Sequence, residues 1–293
     1  MTGSVTGSAA GAAEPLAAVR RRASAVLAGA GVASPERDVE LLLAHVLDVR
    51  LGNLALVRSL EAPQVAVLDG LVARRAAREP LQHLTGAAAF RHVELAVGPG
   101  VFVPRPETEL LAGWAVDRVR EAGEHPVVVD LCTGSGAIAR ALADEVPHAR
   151  VHAVELDPDA FTWAQRNLAG TGVDLRQGDL ADAFTDLDGT VDVVVSNPPY
   201  IPLEAWESVA PEARDHDPHL ALFSGDDGLD AIRSLVRRAA ALLRPGGHLG
   251  FEHADEQGES APAVAVADGR WSDVRDHRDL AGRARYTTAR LAR

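Results

Sequence analysis

Cysteine occurs once in this chain of 293 residues, as Cys132, and positive charge is scarce beside negative. A single thiol excludes an internal disulfide framework and a thiolate metal cluster, and it suits a reducing cytoplasm. Lys+Arg number 29 against 42 Asp+Glu, a formal charge of −13. That balance argues against broad attachment to nucleic acid or to an anionic membrane, although it leaves room for a local basic groove. No apolar stretch approaches the roughly 18 residues that span a bilayer. The His residues lack a ligand spacing such as His-Glu-x-x-His, and His216 and His219 lie among Asp and Pro, so they read as solvated side chains and no metal site is expected. Met1 to Glu14 has neither a basic start nor an apolar run. It is therefore no signal peptide, and its Ala, Gly, Ser and Thr content reads as disorder.

What is present is organised around Val191-Asp192-Val193-Val194-Val195-Ser196-Asn197-Pro198-Pro199-Tyr200. The Val run predicts a parallel strand buried on both faces. The prolines cannot continue it, because each removes an N–H donor and fixes φ, so the chain leaves the sheet at Asn197 with unpaired carbonyls. A planar NH2 group fits those acceptors. The Asn197 side-chain oxygen and a proline carbonyl can take its two hydrogens while Tyr200 covers its flat face. Such a site holds an amide or an exocyclic amine, and the tetrapeptide resembles that of amino-group methyltransferases that use S-adenosylmethionine.

Around this stretch the chain divides by pattern. Residues 15–79 carry apolar residues at helical spacing, including Leu16, Val19, Val26, Leu27, Val39, Leu42, Leu43, Leu68 and Val72, and predict a small helical domain, which is expected to serve substrate recognition and not chemistry. Arg20-Arg21-Arg22 and Arg74-Arg75 could touch an acidic partner, but read first as solvated faces with one snorkelling arginine each. Residues 80–105 read as a hinge at Pro80 to Gly86 followed by a β-hairpin around Gly98-Pro99-Gly100. Arg105, held between Pro104 and Pro106, reads as part of a loop closing over a ligand. From there to residue 293, strands alternate with helices, the pattern of an open parallel α/β sheet with an antiparallel pair at its end.

The turn Cys132-Thr133-Gly134-Ser135-Gly136 joins the first of these strands, Val127 to Leu131, to a helix, and Glu155 ends the second. Gly134 to Ala139 also satisfies the dinucleotide pattern G-x-G-x-x-G/A with an acid about 20 residues on, a weak signal by itself. Asp130 suits a methionine ammonium better than a pyrophosphate, and the stretch at Asn197 has no counterpart in hydride transfer, so S-adenosylmethionine is preferred over NAD. Gly134 and Gly136 then admit the methionyl end, Glu155 takes the ribose, and Asp179-Leu180 flanks the adenine. Cys132 reads as a small residue beside the cofactor, not a nucleophile, since no basic partner is implied nearby.

Taken together, the chain resembles the HemK/PrmC-like protein-(glutamine-N5) methyltransferases. The resemblance rests on Pro80 to Gly86, Val103-Pro104-Arg105-Pro106-Glu107-Thr108-Glu109, Asp130 to Ala139, Asn197-Pro198-Pro199-Tyr200-Ile201, Ala221 to Leu229, Leu243-Arg244-Pro245-Gly246-Gly247 and Asp279 to Arg285. It implies an α/β fold: a Rossmann-like class I S-adenosylmethionine-dependent methyltransferase sheet, with a small N-terminal helical domain joined by a β-hairpin. It implies methylation of the glutamine in the Gly-Gly-Gln loop of peptide chain release factors. Asn197, Pro198 and Tyr200 would be catalytic and, with Pro199, would bind substrate. Arg105, Asp130, Cys132, Thr133, Gly134, Ser135, Gly136, Glu155, Asp179, Leu180 and Asn197 would line the cofactor. A cytoplasmic monomer without stable nucleic-acid binding and without a membrane segment is expected.

The alternative is an adenine-N6 methyltransferase acting on DNA or RNA, whose exocyclic amine has the same geometry. Such an enzyme must flip its base and hold the backbone with a basic surface, which the charge of −13 disfavours. A cofactor-binding interaction module without catalysis is a further alternative, disfavoured by the intact Asn197 tetrapeptide beside the glycine turn.

Overall fold

The computed structural model describes residues 13–292, and the chain separates into two compact units, one ending at Gly86 and one beginning at Ala87. Residues 1–12 of the expected disordered start lie outside the described residues. Glu14, included in that expectation, instead pairs with Leu60, joining β1 (Glu14–Pro15) to β2 (Ser59–Leu60).

The first unit holds α1 (Leu16–Gly29), α2 (Pro35–Leu47), α3 (Ala62–Ala76) and α4 (Leu81–Thr85). Val19, Leu27, Leu42, Leu43 and Leu68 interdigitate in its own core. Pro35 opens α2, with Glu36 and Asp38 in the first turn where the helix dipole favours negative charge. Arg75 is not on a solvated face: it is buried and donates to Asp38 at 2.7 Å, tying α3 to α2. Pro80 to Gly86, expected to break the helical pattern, holds one more short helix, and the boundary between the units follows it. Pro80 and Gly86 delimit α4, whose Leu84 joins the core, because a proline before a first turn and a left-handed glycine after the last are start and stop signals as well as breakers.

The second unit begins with β3 (Ala87–Phe90) and β4 (Val93–Ala96), a hairpin that turns at Arg91-His92 and not at Gly98-Pro99-Gly100. Arg91 sits at φ 50°, where a non-glycine residue needs outside support. It gets it from Glu145, bound through Nε and Nη2, and from the Glu109 carbonyl, 3.1 Å from Nη1. The glycine-proline stretch lies beyond β4, where the Pro99 carbonyl accepts from Trp163 Nε1 at 3.2 Å.

Next come α5 (Thr108–Glu121), β5 (Val127–Leu131), α6 (Ala137–Glu145), β6 (Arg150–Glu155), α7 (Pro158–Leu168), β7 (Asp174–Gln177) and β8 (Val191–Ser196). The short α8 (Pro211–His216) and α9 (His219–Leu222) lead to α10 (Asp230–Leu242), β9 (Leu243–Glu252), α11 (Ser260–Asp268), β10 (Trp271–Arg278) and β11 (Ala284–Leu291). The seven-stranded sheet runs β10-β11-β9-β8-β5-β6-β7, with β9-β8-β5-β6-β7 parallel and β11 antiparallel to both neighbours. Every residue of β5 and β8 is buried, as the Val runs require. Helices α5, α6 and α7 pack one face through Leu111, Val116, Ile138, Leu142 and Ala164. Helices α10 and α11 pack the other through Ile232, Leu235, Val236 and Ala265. Strand order reverses between β8 and β5, so a crevice opens at their carboxyl ends. No helix among the described residues is long and apolar enough to cross a membrane.

Candidate active site

A cavity of about 500 Å³ lies at the carboxyl ends of β5, β6 and β8. Its floor is the turn after β5. Asp130, with no exposed surface, accepts at Oδ2 from Thr133 Oγ1 at 2.6 Å and from the Ala139 amide at 3.1 Å, which pins the turn to the start of α6. Its other oxygen, Oδ1, has no hydrogen-bond partner among the described residues. Burial pushes this carboxyl up to about 7, with the Glu155 charge adding to the rise.

The two glycines of the turn differ in purpose. Gly134 has φ +57°, and a Cβ placed there would meet nothing within 4 Å. At Gly136, φ +84°, a Cβ would come 3.1 Å from Leu168 Cγ, so this glycine serves the packing of α6 against α7. Glu155 closes the turn from β6: Oε2 accepts from the Gly134 amide at 2.8 Å and Oε1 from the Asp157 amide at 2.9 Å. Burial raises its carboxyl, while those amide donors oppose the rise. Cys132, at φ 63°, has its thiol pushed well above its ordinary value by burial and by the charges of Glu155 and Asp130. It is a neutral thiol.

The opposite wall is the exit from β8. Ser196 Oγ donates to the Leu131 carbonyl, locking β8 to β5 at their ends. Beyond Tyr200 the chain pairs with 222–224, Ile201 donating to Leu222 O at 2.8 Å and Ser224 donating to Ile201 O at 3.0 Å. The Asn197 amide donates through Nδ2 to Thr108 Oγ1 at 3.4 Å. Thr108 donates to Glu252 Oε2 at 2.7 Å, and the Tyr200 hydroxyl donates to Glu252 Oε1 at 3.1 Å. Burial, with the adjacent Glu252 charge, pushes the Tyr200 phenol far above its ordinary value, so it stays protonated.

The rim carries Arg105, whose Nη2 lies 2.7 Å from Asp217 Oδ2 and whose guanidinium sits 4.8 Å from the centre of the Phe102 ring. Asp217 is buried. Burial pushes its carboxyl up to about 6 against the pull of Arg105. His219 is exposed, as expected of a solvated side chain, and its ring centre lies 4.8 Å from that of Trp206.

Most of the residues singled out in the sequence line this one cavity: Cys132, Thr133, Gly134 and Ser135 on the floor, Glu155, Asp179 and Leu180 along one side, and Asn197, Pro199, Tyr200 and Arg105 opposite. Asp130, Gly136 and Pro198 do not line it. The first two stand behind the turn for the reasons given. Thr108, Glu252 and Asp217 are not among the expected site residues. The sequence signal for Glu252 is an acid ending a buried strand, Leu249-Gly250-Phe251-Glu252, next to the strand that carries Asn197.

Comparison with known proteins is consistent throughout the chain. Residues 18–86 match the family description "PrmC N-terminal domain" and residues 128–216 match "Methyltransferase domain". A release factor glutamine methyltransferase from Streptomyces coelicolor is 61% identical over 91% of this chain and 94% of its own length. The chain belongs to the release factor glutamine methyltransferase family. Another member, from Mycolicibacterium smegmatis, is 50% identical over 92% of this chain and 96% of its own length. A relative of different name, the 4-amino-L-phenylalanine/4-methylamino-L-phenylalanine methyltransferase of Streptomyces pristinaespiralis, is 45% identical over 89% of this chain and 90% of its own length.

Proposed function

We propose that this chain transfers a methyl group from S-adenosylmethionine to the side-chain amide nitrogen, N5, of the glutamine in the Gly-Gly-Gln loop of peptide chain release factors. It does so as a cytoplasmic monomer. The helical unit grips the body of the release factor, and the second unit carries the chemistry. The observation that carries the reading is the Asn197 amide at the cavity wall, whose Nδ2 end faces Thr108 while no donor among the described residues meets its Oδ1.

The residues present fit the cofactor. Gly134 leaves open space where a side chain would stand, and Asp130 Oδ1 is a buried acceptor without a donor. In the bound state the Gly134 turn, with the Asp130 charge behind it, would hold the methionyl end, Glu155 the ribose hydroxyls, and Leu180 the adenine face. When bound, the cofactor supplies an electrophilic methyl group on a positively charged sulfur.

The protein's part is positioning. An amide nitrogen is a poor nucleophile because its lone pair is delocalised into the carbonyl. Asn197 Oδ1 and a backbone carbonyl of the Pro198-Pro199 exit, of which Pro199 is the residue lining the cavity, accept its two N–H hydrogens and hold the nitrogen where its lone pair can leave that conjugation, and Tyr200 covers the amide plane. The extra proton is acidic once nitrogen has a fourth bond and leaves to solvent, so no strong base is needed. Preorganised acceptors carry the rate.

An aryl amine offers the same pair of in-plane hydrogens. It is the second reading, prompted by the relative named for 4-amino-L-phenylalanine. The test is incorporation of label from S-adenosylmethionine into a purified release factor, into that factor with its loop Gln→Ala, into 4-amino-L-phenylalanine, and into DNA. Label in the intact factor alone supports the proposal. Label in the amino acid or the DNA, with none in the factor, overturns it.

A further inference from the structure

Glu252 is a carboxylate sealed behind the cavity, 1% exposed, with no cation in hydrogen-bond or ion-pair contact among the described residues. It does not line the cavity. Its two oxygens accept from Thr108 and from Tyr200, so one buried acid touches two hydroxyls that stand at the substrate wall beside Asn197. Burial on this scale costs several kcal/mol of lost hydration unless the charge is well hydrogen-bonded, so its presence calls for a reason.

We propose that Glu252 and Thr108 are positioning residues that determine which end of the Asn197 amide faces the substrate. The inference rests on the reading of Asn197 as the acceptor for the substrate amide. Burial raises the Glu252 carboxyl, while the Thr108 hydrogen bond, the Arg285 charge and the Tyr200 hydrogen bond oppose the rise. With both oxygens accepting hydroxyl donors Glu252 acts as an ionised carboxylate, which can only accept, whereas a threonine hydroxyl has a single proton to give. At 2.7 Å that proton is committed to Glu252, so Thr108 Oγ1 offers only lone pairs to its other neighbour. Asn197 must therefore present its NH2 to Thr108, as the Nδ2 contact at 3.4 Å does. The flipped amide would set oxygen against oxygen with no proton between them. Through two directional bonds, the acceptor-only character of Glu252 reserves Asn197 Oδ1 for an incoming N–H. The same carboxylate orients Tyr200, whose ring covers the amide plane. Glu252→Gln would spoil the arrangement: its Nε2 can donate to Thr108, which then donates to Asn197 Oδ1 and occupies the acceptor.

A double-mutant cycle tests this. Thr108→Val, Thr108→Ser, Asn197→Ala and Thr108→Val/Asn197→Ala are compared for kcat and KM on a whole release factor, with cofactor affinity measured separately. Thr108→Val is expected to lower kcat about tenfold, with KM and cofactor affinity nearly unchanged, as for loss of a group acting in the transition state. Thr108→Ser should recover most of that loss. In the Asn197→Ala background Thr108→Val should have no further effect, since a residue acting through Asn197 has nothing left to orient. Wild-type kcat in Thr108→Val, or the same factor lost in both backgrounds, overturns the positioning role. So does a parallel loss of cofactor affinity in the Val and Ser variants, which would make Thr108 a packing residue. Wild-type kcat in Asn197→Ala overturns the underlying reading of Asn197 instead, so the two failures are distinguishable.

Discussion

The guanidinium of Arg105 lies 2.7 Å from the carboxylate of Asp217 and joins the segment before α5 to the loop between α8 and α9, on the rim of the cavity. Asp217 has no exposed side-chain surface, whereas Arg105 keeps 31% of its own. Removing the arginine strands a buried acid, while removing both charges does not. Arg105→Ala is expected to lower stability by about 1–3 kcal/mol, less than the roughly 3–5 kcal/mol of a fully buried pair because Arg105 is 31% exposed. Arg105→Ala/Asp217→Asn should regain part of that. Urea unfolding of the two variants decides it, and equal midpoints would show that the pair contributes nothing.

The glycines of the turn should fail in different ways. Gly134→Ala meets open space at φ +57°, and Gly136→Ala meets Leu168 at 3.1 Å at φ +84°. Both incur the left-handed backbone cost of about 1–2 kcal/mol. Only Gly136→Ala adds a clash within the core, and only Gly134→Ala fills ligand space. The expected outcome is a larger loss of thermal stability for Gly136→Ala and a larger loss of cofactor affinity for Gly134→Ala, read by thermal melts and calorimetry. The reverse ranking would mean that Gly134 does not face the cofactor.

Burial sets a pH dependence at Asp130, whose carboxyl is pushed from 3.8 up to about 7. A cationic ammonium prefers the ionised form, so cofactor affinity is expected to rise with pH and level off above about 7. Below that point it should fall by up to about tenfold per pH unit. Without cofactor the sign reverses. The folded carboxyl keeps a proton that the unfolded chain has lost between about pH 4 and 7, so its contribution to folding stability falls as pH rises through that window. Asp130→Asn should bind the cofactor more weakly, and with a flat profile between pH 5 and about 7.5. An unchanged slope in that variant would assign the titration to another group.

The sheet was legible because its strands are dictated locally. Val127 to Leu131 and Val191 to Ser196 are apolar runs of the right length, and the turn at Gly134 and the prolines after Asn197 mark where those runs stop. The hairpin tip was not legible. Arg91 holds its left-handed backbone through Glu145 and Glu109, contacts that no local rule contains. Pro80 and Gly86 were read as breakers because the same residues start and stop helices, and only the burial of Leu84 distinguishes the two. The back of the site was least visible: Thr108 meets Glu252 across 144 positions and Asn197 across 89, so spacing along the chain says nothing of their contact. Residues with a local motif were found, and those that act through a tertiary bond were not.

Asn197 is the most exposed point of the proposal. Its side chain lines the cavity with Nδ2 turned to Thr108, which leaves Oδ1 as the acceptor for a substrate N–H. If that bond strengthens as the nitrogen leaves conjugation, Asn197→Ala should lower kcat by about 10²–10³, the usual effect of losing one preorganised electrostatic partner. Cofactor affinity should change much less. Asn197→Asp is the sharper variant, because it keeps an acceptor and adds a negative charge. That charge favours the cationic sulfur of the ground state over a transition state in which the positive charge is dispersing. It also replaces the NH2 that Thr108 requires with a second acceptor, so the aspartate loses its anchor as well. Turnover is therefore expected to be impaired in Asn197→Asp even though cofactor binding is retained or tightened. Single-turnover methylation of a release factor at saturating cofactor, beside calorimetric affinities, measures both quantities. Turnover at the wild-type rate in the Ala variant would reduce Asn197 to a residue that shapes the loop.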